Sequence, residues 1–259
     1  MDIIKKIIPK FIKIFLNIIL KRKIKLIGNF NNWDEALKNS TSYKNSLIFN
    51  KNIKSFKKVL KKEAKFERDS VLFFQNSPDK KLISIIKKLY RNKKINICDF
   101  GGSLASSYFQ NIDYLDKLKF NWYVIEQKKY VDFAKKNINI NNLNFFTNIN
   151  YLSKKKIDLI IFSSVLQYLK SPFSLLDNIA NKNIKNVIIS RTPFFDKVDL
   201  IKIQVVPKHI YSASYPIRIF NHSKFLKFMK TRGYKIKENI PTNESIDDID
   251  YKSHFFVKK

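Results

Sequence analysis

Asp99-Phe-Gly-Gly-Ser103 and Glu126 are the residues whose types and spacing can do chemistry. Paired glycines after an apolar run let the backbone turn tightly and approach a ligand. In doubly wound sheets a carboxylate at the tip of the next strand, about 20 residues on, accepts hydrogen bonds from ribose hydroxyls. Here the separation is 25 residues (126 − 101). Turn and acid together specify an adenosine-containing cofactor. A dinucleotide site asks for Gly-x-Gly-x-x-Gly so that a pyrophosphate can sit on the helix N-terminus, whereas this chain has Gly101 and Gly102 followed by Leu104, Ala105 and Ser106. S-adenosylmethionine carries no phosphate and needs fewer glycines. Asp99 is placed to hold its ammonium group, directly or through water, and Ser103 is the expected N-cap of the helix that follows.

The elements that must position these residues follow from periodicity. Ile95, Ile97 and Phe100 fit a parallel strand covered on both faces. Strands are expected at 95–100, 122–126, 143–146, 157–163, 185–191, 234–240 and 253–258, with helices at 103–112, 129–138, 171–181 and 222–232 between them. Such alternation builds a parallel sheet with right-handed crossovers. The last two strands are joined without a long helical pattern and should pair antiparallel. Upstream, Trp33–Leu37 and Lys51–Asp69 read as helices, and Ser77 and Pro78 as the cap and first turn of a helix reaching Tyr90. The expected fold is α/β: a Rossmann-like, seven-stranded, mostly parallel sheet with an antiparallel last strand (78–259), preceded by a helical N-terminal extension (1–77).

In open α/β sheets ligands sit at the carboxyl ends of strands, so Ser163, Ser164 and Gln167 should line the same crevice as Gly101. A long polar and aromatic segment, 191–216, lies between the fifth and sixth strands and is the expected acceptor wall. Within it His209, with a near-neutral reference pKa, is the first candidate base, with Asp196 behind it. Its plainer reading is a hydrogen-bonded loop residue. Arg191 either binds a carboxylate or phosphate of the acceptor or closes the strand end with a salt bridge.

Composition narrows the partners. The 259 residues carry 51 Lys+Arg against 21 Asp+Glu, a formal charge of +30. The lysines are strewn along a chain rich in Lys, Asn, Ile and Phe, not gathered with interleaved aromatics, so nucleic acid is not the expected partner; a basic surface still favours acidic ligands or anionic lipid. One cysteine, Cys98, excludes a disulfide framework, and three scattered histidines give no metal spacing, so no metal is expected. Ile3, Ile4, Ile7, Ile8, Phe11 and Ile12 recur at helical spacing among lysines, so residues 1–22 read as a basic amphipathic helix that lies on an anionic membrane or packs on a protein. Lysines interrupt it too often for a membrane span, and no cleavage site follows. The expected location is cytoplasmic, peripheral on the inner membrane face if that helix meets lipid.

Asp99-Phe-Gly-Gly-Ser-Leu-Ala-Ser-Ser-Tyr-Phe-Gln110, Trp122-Tyr-Val-Ile-Glu-Gln127, Phe162-Ser-Ser-Val-Leu-Gln-Tyr-Leu169, Arg191-Thr-Pro-Phe194 and Ile210-Tyr-Ser-Ala-Ser-Tyr-Pro216 together resemble an uncharacterised family of methyltransferases often encoded among surface-polysaccharide genes. The likeness covers roughly residues 30–259. It implies an S-adenosylmethionine-dependent enzyme acting on a small-molecule or glycan acceptor, with Asp99, Gly101, Gly102 and Glu126 on the cofactor. Ala105 departs from it, standing where a third glycine is expected. Two other readings stay open: a protein that keeps the fold without turnover, and a nucleic-acid methyltransferase. The latter lacks the Asn/Asp-Pro-Pro-Tyr/Phe word after strand four.

Overall fold

The computed structural model describes residues 24–41, 46–207, 212–242 and 244–259. The amphipathic helix expected over 1–22 and the candidate base His209 lie outside the described residues. No helix among the described residues is long and apolar enough to cross a membrane.

The described chain runs β1 (Lys25–Ile27), α1 (Trp33–Lys38), α2 (Ser46–Leu60), β2 (Phe66–Arg68), β3 (Val71–Phe73), α3 (Lys80–Tyr90), β4 (Ile95–Phe100), α4 (Ser106–Asn111), β5 (Phe120–Ile125) and α5 (Lys128–Asn137). It continues through β6 (Leu143–Phe146), β7 (Leu159–Ser163), α6 (Pro172–Asn181), β8 (Asn186–Phe195), β9 (Leu200–Val206), β10 (Ala213–Asn221), α7 (His222–Thr231), β11 (Tyr234–Ile240), β12 (Ser245–Ile246) and β13 (Ile249–Lys258). The described residues form two compact units, one those up to Ile48 with those of 201–217, the other those of 49–200 with those of 218–259. The larger unit thus begins well before residue 78.

In the smaller unit β1 pairs antiparallel with β9, Leu26 opposite Gln204. Asn32 caps α1 by accepting from the Glu35 amide at 2.9 Å, and the Glu35 carboxylate accepts from the Asn31 amide at 3.0 Å, a reciprocal arrangement that satisfies two orphan donors. Thr41 and Ser214 exchange backbone and hydroxyl hydrogen bonds of 2.7–3.1 Å.

The larger unit is built on a sheet of order β11-β13-β8-β7-β4-β5-β6. β4, β5, β6, β7 and β8 are mutually parallel, and β13 runs antiparallel to both β8 and β11. This is the expected seven-stranded sheet with one reversed strand, joined by the end of β10 beside β8 and by the two-residue β12. Period-two alternation explains its layers. Ile97, Trp122, Val124, Leu159, Ile161 and Ile188 face one core with Ile85 and Ile86 of α3, while Cys98, Tyr123, Ile125, Ile160, Phe162, Val187 and Ile189 face the other with Ile179 of α6 and Phe225 of α7. Every strand of this set is apolar on both sides because both sides are covered. Cys98 is fully buried there, a core residue.

Three local expectations are corrected. α3 starts at Lys80 with Asp79 as its cap, accepting from the Lys81 and Leu82 amides at 3.1 and 2.9 Å, so Ser77 is not the cap. The helix expected to run to Asp69 ends at Leu60, and residues 66–73 form a hairpin. Its two turn residues, Asp69 and Ser70, both have positive φ, +50° and +69°, the twist that a two-residue hairpin needs. Stacking of Phe66 on Phe73 at 4.4 Å fixes the pairing. β1 is the third, a strand where none was expected.

Candidate functional site

The glycine turn opens at the carboxyl end of β4. Gly101 has φ +73°, and its amide donates to the Ile125 carbonyl at 2.8 Å, which holds the turn against the end of β5. A Cβ at Gly101 would fall 2.4 Å from a Val165 methyl, and one at Gly102 would fall 2.6 Å from the Asp99 carboxyl carbon. Both positions therefore require glycine. Ser103 and Ala105 also take left-handed backbone, φ +53° and +66°, so α4 begins only at Ser106 and Ser103 is not its cap. Ala105 accordingly sits in the entry turn and not inside the helix, in a conformation that costs an alanine roughly 1–2 kcal/mol relative to glycine.

The same turn brings the acids together. The Glu126 carboxylate accepts from the Ser103 amide at 3.2 Å and from the Gln127 amide at 2.7 Å. A carboxylate has about four acceptor positions, so two are left to take ribose hydroxyls. Asp99 is 1% exposed and accepts from the Trp122 indole at 3.3 Å. Burial pushes its carboxyl up to about 7, and the neighbouring Glu126 charge adds to the rise. Glu126 is also raised by burial, against the opposing effect of its two amide donors.

From β7, Ser164 turns through φ +53° and its amide donates to the Ser190 carbonyl at 2.9 Å. Fully buried Gln167 donates to the Ser164 hydroxyl at 3.0 Å and to the Arg191 carbonyl at 3.2 Å, tying the end of β7 to the middle of β8. Two buried polar atoms in this neighbourhood, Ser103 Oγ and Gln167 Oε1, have no hydrogen-bond partner in the protein. The two glycines leave the main chain open to close approach, Glu126 has acceptor positions to spare, and these unpartnered atoms are polar, a residue set that fits an adenosyl amino acid.

Beside it lies a cavity of about 670 Å³ lined in part by Ser107 of α4, Ser163 of β7, and Ser190 and Arg191 of β8. Asp196 is not in it. That carboxylate is 78% exposed and pairs with Lys252 at 3.7 Å. Arg191 lines the cavity and forms a salt bridge there, with Nε 3.1 Å from the Glu244 carboxylate.

Several residues carry no signal of their own in the sequence. The hairpin delivers Glu67, 1% exposed, whose carboxylate accepts from the Ser106 hydroxyl at 2.9 Å and the Ser70 amide at 3.0 Å. Burial lifts its carboxyl to about 7. Arg68, next in the strand, points into the cavity and donates to Gln110 of α4. The only available signal was Asp69-Ser70 between a single apolar residue, Phe66, and the apolar run Val71-Leu72-Phe73, with Glu67-Arg68 diluting it.

The histidines His222 and His254, 32 residues apart in sequence, meet with their Nε2 atoms 3.0 Å apart. His254 Nδ1 lies 2.8 Å from Asn239 Oδ1, and Lys252 Nζ lies 3.4 Å from His222 Nδ1. Among the described residues no group of three or more His, Cys, Asp or Glu could hold a metal. Burial, His222 and Lys252 push His254 down to about 4. A depressed pKa means that neutral His254 stabilises the fold fully above its ordinary value near 6.5 and loses that contribution as pH falls through the window to about 4. NMR titration should show one imidazole that stays neutral to about pH 4; a normal midpoint near 6.5 for His222 and His254 alike would refute the buried pairing.

No protein-family model matches this sequence, and no curated protein matches it. Solved structures do. The N-terminal domain of EvdMO1, crystallised in the presence of SAH and D-fucose, superposes with a TM-score of 0.53 at 10% identity, covering 80% of this chain and 97% of that one. The glycopeptide N-methyltransferase MtfA complexed with S-adenosyl-L-methionine follows at TM-score 0.49 and 8% identity, over 71% of this chain and 95% of that one. Magnesium protoporphyrin IX methyltransferase from Synechocystis PCC 6803 with bound SAM reaches 0.45 at 16% identity, over 68% and 77%. At 10% identity the likeness to the EvdMO1 domain is one of fold, and the fold is Rossmann-like α/β.

Proposed function

We infer that this protein is an S-adenosylmethionine-dependent methyltransferase acting on a small-molecule or glycan acceptor. One observation carries this reading: Glu126, at the end of β5, is locked to the glycine turn through the Ser103 amide with acceptor positions to spare. The cofactor, when bound, supplies an electrophilic methyl group on a sulfonium. In this reading Glu126 orients the ribose, and ionised Asp99 or the Asp99–Gly102 backbone takes the ammonium end. Gly101 and Gly102 let the main chain approach, and Ser103, Ser164 and Gln167 offer hydrogen bonds around the site. Because the transfer is an in-line displacement, the protein's main task is alignment, which a buried and rigid turn serves.

The acceptor class rests on two supports. The sequence words resemble proteins encoded among surface-polysaccharide genes, and the EvdMO1 domain was crystallised with both SAH and D-fucose. Glu126→Ala should weaken S-adenosylhomocysteine binding by about 1.5–3 kcal/mol, the range for hydrogen bonds to a charged group. Calorimetry on a folded Glu126→Ala chain with unchanged affinity would remove the reading.

A further inference from the structure

The cavity beside the turn carries more positive charge than its own walls neutralise. Arg68, Lys80, Lys81 and Arg191 line it against two carboxylates, Asp79 and Glu244. Asp79 is committed to capping α3, and Lys81 is paired with Glu238, which is not part of the lining. Arg68 is part-buried, and its pKa is held below the ordinary value by burial and by the charge of Arg191. Two like charges sharing one partly buried space repel, and a bound anion removes that repulsion.

The backbone reinforces the point. Arg191 has φ +52°, unusual for a residue other than glycine. The irregularity is built by its neighbour strand, where the β8–β13 register shifts between Lys252 and His254, and Ser253 accepts from the Arg191 amide at 2.9 Å. A strained conformation held by its surroundings is a recurrent mark of a functional position. Here it puts Arg191 into the cavity that Arg68 enters from the hairpin, with hydroxyls of Ser107, Ser163, Ser190 and Thr242 on the same lining.

We propose that Arg68 and Arg191 form an anion-binding subsite that takes a carboxylate or phosphate of the acceptor, with Glu244 as the internal counter-ion the acceptor displaces. This deepens the methyltransferase reading and rests on it, since the subsite adjoins the proposed cofactor turn. Guanidinium groups suit the role because their planar forks bind both oxygens of a carboxylate or phosphate. Asp99, Gly101, Gly102 and Glu126 do not line this cavity, which separates it from the ribose and turn surface. The alternative source of the same chemistry is the carboxylate at the methionine end of the cofactor.

Calorimetry at low ionic strength with inorganic pyrophosphate and glucuronate, titrated into the full chain saturated with S-adenosylhomocysteine, distinguishes these. One anion should bind per chain. Arg68→Met and Arg191→Met should each weaken it roughly 10–100-fold, as expected for charged hydrogen bonds, while changing S-adenosylhomocysteine affinity less than about threefold. Glu244→Gln should tighten anion binding several-fold, a gain that misfolding cannot produce. Equal anion affinity in all three variants would assign binding to general surface charge and overturn the subsite. Competition between pyrophosphate and S-adenosylhomocysteine would give the guanidinium pair to the cofactor and also overturn it. If S-adenosylhomocysteine does not bind but the anion does, with the same variant pattern, the subsite stands and the methyltransferase reading falls.

Discussion

Gly101→Ala is expected to destabilise the protein by about 2–4 kcal/mol, combining the cost of a left-handed alanine with an overpacked contact. The backbone at this position has φ +73°, and the added methyl would fall 2.4 Å from Val165 Cγ2 and 3.0 Å from its Cβ. The Cβ contact cannot be relieved by turning the Val165 side chain, because rotation about χ1 leaves Cβ in place. The turn must move instead. Its movement would break the Gly101–Ile125 hydrogen bond and carry Ser103 away from Glu126. Denaturant unfolding measures the first effect, and loss of S-adenosylhomocysteine binding at temperatures where the variant is still folded measures the second. A variant of wild-type stability would show that the turn is looser than the contacts require.

Cofactor affinity is expected to depend on pH through Asp99. Its carboxyl, pushed up to about 7 by burial, is largely protonated at pH 6, whereas an ammonium group needs the carboxylate. The sign follows: affinity for S-adenosylhomocysteine should fall by up to about tenfold for each unit that pH drops below 7, and binding should release a proton. Asp99→Asn should be weaker near neutrality by roughly 10–100-fold and lose most of this slope. A flat profile in the wild type between pH 5.5 and 7.5 would exclude Asp99 as the ammonium partner.

The sheet was legible because its central strands β4, β5 and β7 are short, apolar on both faces and set among amphipathic helices, a pattern that follows directly from burial on two sides. The antiparallel end could be read from the missing helix between Ile240 and Ile249. The turn's finer geometry could not. Ser103 and Ala105 adopt left-handed backbone without being glycine, so nothing in their types announces that α4 starts three residues later than its pattern suggests. The hairpin at 66–73 was hidden for a similar reason: Asp69-Ser70 has positive φ at both residues but lacks the Asn-Gly or Asp-Gly that marks such a turn. Arg68 was lost with it. The His222–His254 pair is a tertiary product, since it joins the first residue of α7 to β13 across 32 positions of sequence. Asp196, plausible by its place in the chain, proves to be a surface residue paired with Lys252.

The central claim is that the turn and Glu126 bind an adenosyl amino acid and not a dinucleotide. Calorimetric titration of the full chain with S-adenosylhomocysteine, and in parallel with NAD, tests it most directly. Saturable one-to-one binding of S-adenosylhomocysteine and none of NAD is the expected result. Binding of NAD, or no binding of S-adenosylhomocysteine by the folded chain at pH 7.5, would contradict it.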